Sequence, residues 1–316
     1  MSLPYIAANL LSNLCYGKVF ATKRHRLPPM QLFVLTLFTL TAFAANSLLN
    51  RAALVNDLIG AGEFASLRVA AGAFTLFFLL AISRKAWPKP QTIDIRAVLG
   101  LAAYMVGFSF AYVRLDAGLG ALILFGTVQV AMFAAALKAG EFIPTSRSIG
   151  AVIALCGLGV LFWPGERFYL PWFGVLLMLI AALGWALYSL QGRKVADPLS
   201  ATAWNFIYAL PVPLIVQLLV QSYGGQVWFV TTDGALLAIA SGAIMSGLGY
   251  ALWYRVLPQL DVSIGALSQL LVPVIALVLG VLLLDESVDS RTLLAALLIV
   301  GGVAVGSLFA KQKAAH

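Results

Sequence analysis

Residues 115–141 read LDAGLGALILFGTVQVAMFAAALKAGE, and residues 260–286 read LDVSIGALSQLLVPVIALVLGVLLLDE. Laid over one another at a shift of 145, both open on Leu-Asp, repeat Gly-Ala-Leu a turn later and close on Glu. Extending the shift to 114–160 on 259–305 gives 11 identities in 47, including Ala131 with Ala276, Leu137 with Leu282 and Gly157 with Gly302. Matches of Leu, Ala and Gly come easily in apolar sequence. Asp116 with Asp261 and Glu141 with Glu286 carry the weight, because acids are scarce in this chain. A shift of 142 also relates Phe43–Leu48 to Trp185–Leu190. Self-similarity at a fixed spacing marks a duplicated structural unit.

The units are hydrophobic throughout. Of the 316 residues, 62% are hydrophobic and 10% charged, with a mean hydropathy of +0.97. Soluble domains typically carry charge on about a quarter of their residues, so water is the wrong solvent for this surface. In lipid the backbone must satisfy itself within helices or a closed barrel. The apolar runs are long and lack the alternation of a barrel strand, which predicts helices. With about 20 apolar residues needed per span, helices fall near 31–50, 62–82, 96–113, 117–137, 148–163, 171–191, 202–222, 235–254, 262–284 and 292–309. The expected fold is therefore an all-α membrane protein of ten transmembrane helices.

Five helices make each repeat, and five is odd. The second copy must enter the membrane from the opposite side, giving two inverted five-helix repeats over 31–164 and 165–310. Residues 1–30 form a cytoplasmic or interfacial segment in this reading, and 311–316 a cytoplasmic tail. Lys and Arg set the orientation. Starting from the cytoplasm, 15 fall in inside segments and four outside (Arg51, Arg114, Arg167 and Arg291), with Arg68 left inside a span. Such a bias puts both termini in the cytoplasm, in the inner (plasma) membrane of the cell. The same reading explains the net charge of +8 without nucleic acid.

The stretch Ala266–Glu286, with its Leu-Val-Pro-Val, Gly280, triple leucine and closing acid, resembles the ninth helix of the drug/metabolite transporter superfamily, EamA type. Ser66-Leu67-Arg68, Trp185-Ala186-Leu187-Tyr188 and Gly301-Gly302 support the resemblance, which extends over about residues 31–310. Val128 departs from it, standing where the second half has Pro273. The resemblance implies a ten-helix carrier of amino acids, metabolites, nucleotide sugars or drugs, with YddG-like aromatic amino-acid exporters as a home. Inverted repeats point the same way, because two similar halves can open one central site to either side.

Chemistry other than transport finds few residues. The histidines, His25 and His316, lie in terminal segments; no paired Cys/His spacing offers a metal site, and no phosphate loop with its Lys is present. No cofactor and no enzymatic activity are expected. No acid lies deep in a span, so the direction of transport is expected to follow the substrate gradient, or its coupling to be indirect. The expected partners are a small-molecule substrate and the bilayer; a monomer is compatible with the sequence. The alternatives are a non-transporting scaffold or receptor, for which the loops are short, and an exporter of cationic drugs on the same fold.

The expected substrate wall is polar and aromatic: Asn46, Tyr104, Phe108, Gln129, Trp185, Tyr188, Tyr250 and Gln269. Tyr104 and Phe108 share a helical face, as do Trp185 and Tyr188. Buried amides need partners, which turns Gln129 and Gln269 toward the bundle interior. Such a wall suits a neutral or zwitterionic amino acid or related metabolite. Arg68 reads primarily as structural, snorkelling to the outer surface, and secondarily as a carboxylate ligand. Pro211 and Pro273 interrupt backbone hydrogen bonding and are candidate gating points. Gly242 with Ser246, and Gly302 with Gly306, mark close helix contacts within or between chains.

Overall fold

The computed structural model describes residues 27–138, 144–162, 171–224, 229–260, 268–269 and 271–308. In chain order its helices are α1 (Pro29–Val55), α2 (Ala61–Arg84), α3 (Ile95–Ala111), α4 (Ala117–Lys138), α5 (Thr145–Phe162), α6 (Trp172–Gly192), α7 (Pro198–Ala209), α8 (Pro211–Gly224), α9 (Thr232–Ala240), α10 (Gly249–Val256), α11 (Leu271–Leu284) and α12 (Ser290–Leu308). A π-helical stretch, Ser241–Leu248, joins α9 to α10 without a break. Among the described residues, six helical segments are long and apolar enough to cross a membrane, with α7–α8 and α9–α10 each counting as one, and the remaining apolar helices are shorter. Glu141 and residues 1–26 lie outside the described residues.

Polar residues mark where helices begin. Asp94 accepts from the Arg96 and Ala97 amides, Asp197 from Ser200, Thr231 from Gly234, and Asp289 from Thr292. Each satisfies a first-turn N–H that the helix itself leaves open. The sequence reading drew one helix over 202–222. The structure divides it at Leu210, because Pro211 has no N–H to continue the ladder and restricts the residue before it. Pro273 sits buried in α11.

Outer faces carry apolar side chains, among them Phe33, Phe74, Ile82, Ile215, Leu282 and Leu283. Leucines facing outward, with Asn46, Gln269 and Arg68 buried, reverse the arrangement expected in water. Trp172, at the start of α6, is exposed, as expected of an interface anchor.

Several helix pairs pack closely. α3 lies on α6, and α1 on the α9–α10 segment; α4 lies on α6, and α1 on α11. α2 packs on α9–α10 and α3 on α7–α8, while α4 meets α11 and α5 meets α12. Glycines permit the closest crossings. A side chain at Gly100 would strike the Gly184 carbonyl at 2.8 Å, and one at Gly184 the Tyr104 amide at the same distance. Gly302 and Gly306 face Gly150 of α5, and Gly242 faces the Arg68 backbone. Both small-residue pairs read from the sequence thus pack within the chain.

Candidate functional site

The interior of the bundle between α1, α2, α3, α6 and α10 is a connected set of rings and hydrogen bonds. Trp185 of α6 packs at centroid distances of 5.0 Å from Tyr104, 4.8 Å from Tyr250 and 5.7 Å from Tyr188. Its indole Nε1 donates to Gln269 Oε1 at 3.1 Å. Tyr104 stacks obliquely on Phe108 at 5.1 Å, the four-residue spacing putting both rings on one face of α3. Tyr250 donates to Tyr104 through their hydroxyls at 3.0 Å.

Arg68 threads into this set from α2 and is fully buried. Its Nε donates to Ser246 Oγ at 2.9 Å and its Nη2 to the Tyr250 hydroxyl at 2.9 Å and that of Tyr104 at 3.4 Å. The guanidinium carbon lies 4.8 Å from the Phe108 ring centre and 5.5 Å from that of Tyr104. The expectation that Arg68 snorkels to the surface is corrected. Gly242 lets the π-helical stretch approach α2 at Arg68, and Ser246, Tyr250 and Tyr104 together draw the side chain inward. An arginine inside a membrane costs at least about 2.5 kcal/mol, and among the described residues no carboxylate lies within ion-pair distance of it.

Asn46 of α1 completes the polar side. Its Oδ1 accepts from Ser241 Oγ at 2.7 Å and Ser246 Oγ at 3.3 Å. Seven of the eight residues expected at the substrate wall therefore meet: Asn46, Tyr104, Phe108, Trp185, Tyr188, Tyr250 and Gln269. Gln129 is half-buried on α4. The sequence reading missed Ser246 as a ligand of the cluster, and Phe43, whose ring lies 5.2 Å from Trp185 and 5.6 Å from Tyr250. Phe43 had a signal, for it occupies the place of Trp185 at the 142 shift. Phe43 and Trp185, matched at the 142 shift, are in ring contact.

One end of the bundle is fastened across helices. Arg51 pairs with Asp116 at 2.9 Å and lies 3.8 Å from Glu286, which accepts from the Ala117 amide at 2.7 Å and from Gly118 at 3.4 Å. Beside it the Gly60 amide donates to Phe229, and Thr231 to Leu58. At the other end Arg84 pairs with Asp197, and the Leu27 amide donates to Gln259.

Burial pushes the Glu286 carboxyl above its ordinary value against the pull of the Ala117 and Gly118 amides and Arg51, with Asp116 adding to the rise. A carboxyl with a raised pKa binds more protons folded than unfolded. Its contribution to stability is thus largest in acid and declines as pH rises from the ordinary value through the raised one. Glu286→Gln is expected to flatten that decline in melting temperature measured in detergent across the acid range. Superimposable pH profiles of variant and parent would contradict it.

A sequence profile described as the EamA-like transporter family matches residues 172–308, covering the second half of the chain. An uncharacterized protein of Pseudomonas aeruginosa is 44% identical over 281 residues, covering 88% of this chain and 95% of that protein. The chain belongs to the EamA-like transporter family. It is accordingly a multi-pass membrane protein. More distant relatives include a Bacillus subtilis protein named as an uncharacterized transporter, 26% identical over 79% of this chain and 88% of its own length. An Escherichia coli protein, 25% identical over 78% of this chain and 86% of its own length, bears the name "Probable amino-acid metabolite efflux pump". A solved crystal structure shares the fold with a TM-score of 0.65 at 22% identity, covering 88% of this chain and 98% of that one.

Proposed function

We propose that this protein is an inner-membrane carrier of small organic solutes, with amino acids or related metabolites as its substrates. Ten membrane helices in two inverted five-helix repeats, both termini cytoplasmic, would open the central cluster to either side in turn. The observation that carries this reading is the cluster itself: aromatic rings and buried polar groups contributed by both halves, with Phe43 against Trp185, its match at the 142 shift. Support for the inverted repeat comes from the packing pairs. Exchanging α1 with α6, α2 with α7–α8, α3 with α9–α10, α4 with α11 and α5 with α12 turns each packing pair described above into another of them or into itself. The amino-acid efflux name of the E. coli relative favours the substrate class. Pro211 and Pro273 are the points where the second half would flex.

A buried guanidinium beside the rings repels cationic drugs, so that alternative is the weaker one. Counterflow in liposomes loaded in turn with neutral amino acids, aromatic amino acids, sugars and organic cations tests the proposal. Saturable exchange of amino acids is expected. Blanks across the whole panel, from protein with an intact melting transition, would favour the scaffold or receptor. Single cysteines at 141 and 286 should label from opposite sides of the membrane; labelling from one side would end the inverted-repeat reading.

A further inference from the structure

We propose that Arg68 and Asn46 together form the seat of a carboxylate, and that the site reads this group while leaving any ammonium on the same solute unread. The inference rests on the transport reading and narrows its substrates to organic carboxylates with an apolar or aromatic body.

The amide of Asn46 is pinned by chemistry. Ser246 Oγ accepts the Arg68 Nε hydrogen, so its own hydrogen is left to donate, and it does so to Asn46. The atom facing Ser246 must then be the amide oxygen, and Nδ2 is the free end. Asn46 Nδ2 and Arg68 Nη1 are both buried and have no hydrogen-bond partner among the described residues. Each is a donor, one hydroxyl separates their side chains, and one carries a full positive charge. Two buried free donors and one charge suit a group with two acceptor oxygens and one negative charge. A phosphate dianion would call for a second cation, and the buried side chains described include no other Lys or Arg.

Next to these donors stand Phe43, Trp185 and Tyr250, with rings 4.8–5.6 Å apart. They offer an apolar wall to the rest of the solute. No Asp or Glu is among the buried polar residues described. An ammonium would therefore find no counter-charge here and would share the site with a guanidinium. A purely structural Arg68, clamping α2 to the π-helical stretch, would lower stability when replaced but would leave the ranking of solutes unchanged.

Three solutes of one skeleton separate the cases: phenylalanine, phenylpropionate (no amine) and phenethylamine (no carboxylate). In counterflow with the reconstituted full chain, the first two are expected to exchange at comparable rates and the amine at least tenfold more slowly. Arg68→Gln should lose phenylpropionate exchange by tenfold or more, and Arg68→Lys should retain part of it. Asn46→Asp, which changes one atom and keeps the fold's volume, should also lose it, because its carboxylate would take the place of the solute's. Equal exchange of phenethylamine by the wild-type protein would overturn the proposal without recourse to any variant. So would an unchanged solute ranking in Arg68→Gln and Asn46→Asp. Exchange of sugars or cations with no exchange of carboxylates would overturn it while leaving transport standing. Exchange of nothing at all would remove the transport reading and this inference with it.

Discussion

Gly242→Val is expected to prevent folding, or to leave a protein melting far below the parent, whereas Gly301→Val leaves the melting temperature unchanged. Gly242 lies where the π-helical stretch crosses α2, and a Cβ there would stand 2.8 Å from the Arg68 carbonyl carbon and 2.9 Å from its Cα, with the carbonyl oxygen nearer still. These are backbone atoms, which cannot swing aside as the end of a flexible side chain can. The two helices would have to part. Overpacking a tight contact costs about 1–3 kcal/mol, occasionally more, and a backbone-to-backbone clash belongs at the upper end. At Gly301 an added Cβ meets nothing within 4 Å, so it controls for adding bulk to an apolar helix. Thermal unfolding followed by fluorescence-detected gel filtration measures both variants. A parent-like melt for Gly242→Val would show that the crossing is looser than described.

The same crossing explains what the sequence could and could not reveal. Asn46, Tyr104, Trp185, Tyr250 and Gln269 were legible because a polar atom on an apolar helix has few places to go except inward. Arg68 was not. Its position along α2 gives its depth, about seven residues or 10 Å from Ala61, and at that depth a long side chain can reach either water or the core. The choice is made by Gly242 and Ser246, which lie 174 and 178 positions further along the chain. Phe43 was hidden for another reason: one phenylalanine among 19 looks like packing until the 142 shift sets it beside Trp185. The π-helical stretch left no readable mark, since Ser241–Leu248 has the composition of any small-residue membrane helix. The internal repeat is the basis of the proposed paired architecture, and Glu141, one of its markers, lies outside the described residues.

Trp185→Ala is expected to abolish exchange and to destabilise the protein by about 3–5 kcal/mol, the range for emptying a buried large aromatic site. The indole is 2% exposed and touches Phe43, Tyr104, Tyr188 and Tyr250, so its loss opens a cavity among the rings that form the wall. It also removes the indole N–H that Gln269 Oε1 accepts, costing about 1–3 kcal/mol if that acceptor finds no other donor. Stability loss alone would not implicate Trp185 in transport, so two comparisons are needed. Phe64→Ala empties a fully buried site on the same helix as Arg68; its melt should fall by a similar amount while exchange per folded molecule persists. Trp185→Phe keeps an aromatic face but not the indole donor, and should retain most of the stability with exchange reduced several-fold. If Phe64→Ala and Trp185→Ala lose exchange equally, the fault lies in general weakening of the bundle. If only the tryptophan variants lose it, the loss belongs to the Trp185 indole and its bond to Gln269 and not to general weakening of the bundle.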